Sequence, residues 1–69
     1  MKLSARNVLK GKVVGIEPGA VTTIIQIDLG GGVIVTSSIT RAAADDLGLS
    51  VGDEAVAVIK SSDVLVGKP

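Results

Sequence analysis

The sequence predicts an all-β protein, and three observations carry that prediction. Eleven Val, seven Ile and four Thr make 22 of the 69 residues β-branched, and such side chains are stiff at χ1 and pack well on a pleated surface. Apolar and polar residues alternate at period two in several short stretches, the signature of strands with two unlike faces. Breaks at Glu17-Pro18-Gly19, Gly30-Gly31-Gly32 and Leu49-Ser50-Val51-Gly52-Asp53 cut those stretches to strand length.

The first strand is expected from Asn7 to Ile16, with Lys10 and Lys12 on one face and Leu9 and Val13 on the other; Gly11 and Gly15 point to a bend or bulge. Glu17-Pro18-Gly19 is a tight turn. The second strand, Ala20 to Leu29, sets Thr23, Ile25, Ile27 and Leu29 on one face and Thr22, Ile24, Gln26 and Asp28 on the other. Both faces carry an apolar residue, which predicts cover on two sides. Three glycines allow the positive φ of a hairpin, so Val33 to Ser38 returns antiparallel. They are not a phosphate cradle, because neither a helix nor the Lys-Ser/Thr pair of a phosphate-binding loop follows.

Thr40 is placed as the N-cap of a short helix over Arg41 to Leu47, rich in alanine, and Gly48 as its C′ residue. Asp45 and Asp46 stand at the end disfavoured by the helix dipole. They predict a helix of about two turns and a solvated face, not a metal or acid/base pair. After the Leu49–Asp53 turn, Glu54 to Lys60 forms the fourth strand, nearly unbroken in apolar residues and therefore expected to be buried on both faces. Ser61-Ser62-Asp63 interrupts it, and Val64-Leu65-Val66 is the fifth strand. Five strands with one short helix between the third and fourth fit a small Greek-key barrel of the OB type, which closes its edges on itself.

Composition bounds the function. The length allows one domain over residues 1–69, and a chain near this size buries only about 60% of its unfolded surface. Without Cys a disulfide is impossible, and without Cys or His so is a zinc site of the common kind. Yet 46% of the residues are hydrophobic and the mean hydropathy is +0.59. Part of that apolar surface is expected to face another subunit. No His means no Ser-His-Asp or Cys-His chemistry, so no catalytic residue, catalytic cofactor or protein-bound metal is expected. Seven basic and seven acidic side chains cancel, and there is no aromatic residue. Nucleic-acid binding normally shows a basic stripe and stacking platforms. No apolar run approaches the 18 or so residues of a membrane span, and no signal peptide is visible, so a cytoplasmic location is expected.

Two polar clusters stand out, Ser4-Ala5-Arg6-Asn7 and Lys60-Ser61-Ser62-Asp63. Each joins a cation to hydroxyl or amide donors, and together they hold the inventory for a compact tetrahedral oxyanion: two positive charges, Ser hydroxyls, an Asn amide and main-chain N–H groups. Spacing alone leaves the other reading open, a polar terminus and an ordinary turn.

Resemblance supplies what spacing does not. Ser4-Ala5-Arg6-Asn7 followed by Leu9-Lys10-Gly11-Lys12-Val13, the Thr36-Ser37-Ser38-Ile39 stretch, and Val58-Ile59-Lys60-Ser61-Ser62-Asp63-Val64 resemble the molbindins, small molybdate-binding proteins of bacteria with a Mop or TOBE-like domain. The likeness covers essentially the whole chain, and the two end motifs in this order are its specific part. It implies an OB-like fold, also found appended to molybdate-transport ATPases and molybdate-responsive regulators. It implies a homohexamer, a trimer of dimers, that holds molybdate or tungstate between subunits for storage, buffering or homeostasis. Residue by residue it places Ser4, Arg6 and Asn7, with the Ala5 N–H, on the oxyanion, together with Lys60 and Ser61. Ser62 stands where Thr is common in the family and keeps the hydroxyl. A second class of oxyanion site near the threefold axis is also implied, without residues assigned to it here. The alternative reading is a swapped-hairpin DNA-binding or antitoxin-like regulator, suggested by the Leu47–Val56 turn, against which the zero net charge argues.

Overall fold

The computed structural model describes residues 1–69. Four strands form one antiparallel sheet: β1 (Asn7–Pro18), β2 (Thr22–Asp28), β3 (Ile34–Thr40) and β4 (Glu54–Ile59), with helix α1 (Arg41–Leu47) between β3 and β4. The order across the sheet is β3-β2-β1-β4. Because β1 is long, it pairs with β4 along Asn7–Lys12 and with β2 along Lys12–Pro18. Its register against β2 shifts between Val13 and Gly15, the bulge that the glycines foretold, and a bulge sharpens twist and bends the strand. The sheet curls into a half-barrel, so that β2 and β4, the two neighbours of β1, also approach each other.

Strand β1 runs two residues past the expected Ile16. Pro18 is tolerated there because Gly19 N–H donates to Thr22 O at 2.8 Å, which makes Pro18 and Thr23 a pair without hydrogen bonds. The ring's missing N–H then falls on the open side of the strand. At the helix the sequence chemistry is realised: Thr40 Oγ1 accepts from Ala43 N–H at 3.1 Å, and Gly48, in the left-handed region at φ 61°, donates to Ala44 O and Asp45 O.

Two expectations fail. The fifth strand is absent, and the barrel is therefore not closed: Val64-Leu65-Val66 has no ladder partner. A single 3-10 turn at Ser61–Asp63 diverts the chain, held by Asp63 N–H donating to Lys60 O at 2.9 Å and Val64 N–H to Ser61 O at 3.3 Å. Strand propensity needs a neighbouring edge before it becomes a strand. Likewise β4 is not buried on both faces. Ala55, Ala57 and Ile59 turn inward, while Val56 and Val58 are 38% and 44% exposed, since no second layer of this chain covers them.

The core is correspondingly small. Val13, Ile25, Ile27 and Ala57 are its buried apolar residues, flanked by Ile16, Leu29, Val35, Ile39, Leu49 and Ala55. Including Thr23, 5 of 69 residues are buried, which is too few for a chain with this apolar content to have satisfied its hydrophobic surface alone.

Candidate functional site

Asn7 opens β1 and Ile59 closes β4, and the antiparallel register sets them opposite one another. This pairing joins the two ends of the sequence. Asn7 Nδ2 donates to Ile59 O at 3.1 Å across 52 positions of chain, a partly buried bond that pins the end of the ladder. The ladder ends at this pair; Arg6, Ala5 and Ser4 precede it on one side, and Lys60, Ser61 and Ser62 follow it on the other.

The structure therefore gathers all seven residues singled out in the sequence at one end of the β1–β4 ladder. Asn7 and Ala5 are half-buried; Ser4, Arg6, Lys60, Ser61 and Ser62 are exposed. Asn7 spends one amide N–H on Ile59 and keeps its carbonyl oxygen and second N–H. The 3-10 turn after Lys60 has no side-chain cap, so its leading N–H groups lack an intrahelical acceptor. Arg6 and Lys60 flank the same end of the ladder, and an anion there can accept charge-assisted hydrogen bonds from both.

The cluster is a surface and not a cavity. None of the four larger cavities is lined by these seven residues. The largest, about 610 Å³, lies over Lys10, Gly11, Lys12, Glu54, Ala55 and Val56; the second, about 440 Å³, lies along the concave side of the sheet. Sequence reasoning missed both. It also missed the Ile59 carbonyl as partner of Asn7, since a main-chain acceptor has no signature in residue type. The Leu47–Val56 segment is the handover from α1 to β4, where Ser50 N–H donates to Asp53 Oδ2 at 2.9 Å, a local turn that any strand entry can use. No group of three or more His, Cys, Asp or Glu could hold a metal ion, and no helix is long and apolar enough to cross a membrane.

Comparison with known proteins decides the family. The model of the TOBE domain matches residues 3–66. The chain belongs to the TOBE domain family. Among curated TOBE relatives, the probable molybdenum-pterin-binding protein of Haemophilus influenzae is 55% identical over 67 residues, covering 97% of each chain. Among solved structures, a molybdate-binding protein from Sporomusa ovata superposes with a TM-score of 0.91 at 35% identity, over 99% of this chain and 100% of that one. The cytoplasmic molybdate-binding protein ModG, with molybdate bound, gives a TM-score of 0.94 at 48% identity; it matches 100% of this chain but 49% of its own length. The half-barrel with one helix is thus the fold of this TOBE group. These relatives are named for binding and not for catalysis, and none supports the DNA-binding alternative.

Proposed function

We propose that this chain, as one domain over residues 1–69, reversibly binds molybdate or tungstate in the cytoplasm and serves in storage, buffering or homeostasis of the anion. It does so as a homohexamer, a trimer of dimers, with the anions held between subunits, and without catalysis, nucleic acid or membrane. The observation that carries the reading is the Asn7–Ile59 pairing, because it turns two distant cation-and-hydroxyl segments into one donor cluster. Arg6 and Lys60 supply charge, Ser4, Ser61 and Ser62 supply hydroxyls, Asn7 its free N–H, and Ala5 its main-chain N–H. The openness of the cluster on one chain supports completion by a second subunit, as does the exposure of fifteen large apolar residues.

The mechanism is charge-assisted hydrogen bonding without bond making. A site with two cations and a majority of donors suits a fully deprotonated dianion over phosphate, whose retained proton needs an acceptor; size separates sulfate. Occupancy stabilises the assembly by mass action, since the ligand binds only the associated form. Molybdenum-pterin, in the relative's name, is the second reading. A fused ring is commonly held by stacking on aromatics, and this chain has none, which favours the inorganic anion.

Titration calorimetry with molybdate, tungstate, sulfate and phosphate tests the proposal. Molybdate and tungstate are expected to bind and the other two to bind at least tenfold more weakly. Sulfate binding as tightly as molybdate, or no heat with molybdate, refutes it.

A further inference from the structure

The zero net charge is unevenly distributed. Residues 1–7 and 59–69 carry four cations, Lys2, Arg6, Lys60 and Lys68, against one acid, Asp63. Residues 8–58 carry three cations, Lys10, Lys12 and Arg41, against six acids. Side chains therefore give +3 to the first set and −3 to the second. The two cationic segments lie at opposite ends of the sequence, and the β1–β4 ladder, which ends at Asn7 and Ile59, makes one pole of them. The acids are carried away from it: Glu54 opens β4 at its opposite end with Asp53 just before it, Glu17 lies at the far end of β1, and Asp45 and Asp46 close α1.

Cations of the acidic body are set against acids by the fold. Lys12 stands opposite Glu54 in one ladder and Asp28 in the other. Arg41 stands four residues before Asp45 on α1, the spacing at which opposite charges meet on a helix. Lys2 and Lys68 are exposed and lie outside every strand and helix, so no register sets an acid against them. Neither belongs to the donor cluster, yet both are tethered to it. Lys2 is four residues from Arg6 and Lys68 five from Asp63, which places them within at most about 14 Å and about 18 Å of those residues.

We infer that Lys2 and Lys68 steer the dianion to the donor cluster without holding it. Charges at these distances act through solvent, where the Debye length is about 30 Å at 10 mM salt and about 3 Å at 1 M. At the lower salt, a lysine about 12 Å from a dianion favours its arrival about twofold, and two lysines about fourfold. The acidic body repels the same anion from the rest of the surface, so encounters concentrate at one pole. A charge at the rim of a site changes the rate of arrival and its salt dependence, whereas a charge in contact changes the rate of departure. The inference rests on the anion binding of the proposed function and adds how the anion reaches that site.

The test follows radiolabelled molybdate onto and off the full chain by rapid filtration, at 10 mM and 1 M NaCl. The double variant Lys2→Gln with Lys68→Gln is expected to associate about fourfold more slowly than the wild type at 10 mM and equally fast at 1 M, with dissociation unchanged. Lys2→Arg with Lys68→Arg is expected to restore the rate, since charge and not shape is required. Lys2→Glu with Lys68→Glu is expected to deepen the deficit to about fifteenfold at 10 mM. A Gln variant as fast as the wild type at 10 mM overturns the steering, and so does a deficit that persists at 1 M or appears in dissociation, which makes these lysines contacts or structural supports. Either result leaves molybdate binding standing. A wild-type chain that retains no molybdate at either salt overturns the proposed function and the steering together.

Discussion

Two glycines of β1 should respond in opposite directions to the same substitution. A Cβ on Gly11 would press against the Asp28 carbonyl oxygen and stand 2.7 Å from Ile27 Cγ2 and 3.0 Å from the Asp28 carbonyl carbon. Asp28 has little room to yield: it is paired with Lys12 in the ladder, and its carboxylate accepts from Gly30 N–H at 2.7 Å. Overpacking of this kind costs about 1–3 kcal/mol, while removing a strand glycine returns about 0.5–1 kcal/mol. Crowding wins, and Gly11→Ala is expected to lose about 1–2 kcal/mol. At Gly15 the nearest atom is Gln26 Oε1 at 2.8 Å, with the other Gln26 side-chain atoms at 3.5 Å and beyond. That side chain is exposed and turns aside at little cost, so the glycine effect wins, and Gly15→Ala is expected to gain up to about 0.5–1 kcal/mol.

Urea unfolding followed by far-ultraviolet circular dichroism is the suitable assay, since the chain has no Phe, Tyr or Trp to report by fluorescence. All variants are compared at one protein concentration, because association shifts the midpoint. With an m-value of about 1 kcal/mol/M, at the low end for small domains, the two midpoints should separate by roughly 1.5–3 M on opposite sides of the wild type. Gly11→Ala as stable as the wild type, or the two variants displaced alike, would show that the Gly11–Asp28 approach does not constrain the strand.

Thr23 is 2% exposed and its Oγ1 has no hydrogen-bond partner; Thr23→Val removes that unpaired hydroxyl and should raise stability by about 1–2 kcal/mol in the same assay, a loss of stability instead counting against the assignment. Thr40→Ala deletes the cap on Ala43 N–H and should cost about 1 kcal/mol, with Thr40→Ser restoring most of it. Arg6→Ala and Lys60→Ala should each weaken molybdate at least tenfold by calorimetry while leaving the dichroism spectrum unchanged, and binding at wild-type strength in both would remove these residues from the site. Asn7→Ala should do both things, lowering stability by about 1 kcal/mol through the lost bond to Ile59 and weakening the anion. Loss of only one of the two would separate its structural from its ligand role.

Local features were legible in the sequence wherever the physics is local. The helix, its Thr40 cap and Gly48, the bulge beside Gly15 and the inward set Thr23, Ile25 and Ile27 follow from periodicity and from what single residues do to their own backbone. Strand ends were less so, as at Pro18, where tolerance depends on which side of the strand has a neighbour. Val64–Val66 had the composition of a strand, and that composition is real; what it lacked on one chain was an edge beside it.

The residues of the candidate site were likewise legible by type, through two motifs that each pair a cation with small donors. That the motifs meet was not, because the ladder that sets residue 7 opposite residue 59 is made by main-chain groups that every residue carries alike. The sequence by itself determined four of the five expected strands, the helix, the excess of apolar surface and the absence of His, Cys and aromatic chemistry. Only the tertiary structure decided the register that assembles the donor cluster, the curl that leaves one groove between two bare edges, and the turn that carries Val64–Val66 away from it. Pairing across a sheet is set by the summed fit of distant segments, and no short window of residues contains that sum.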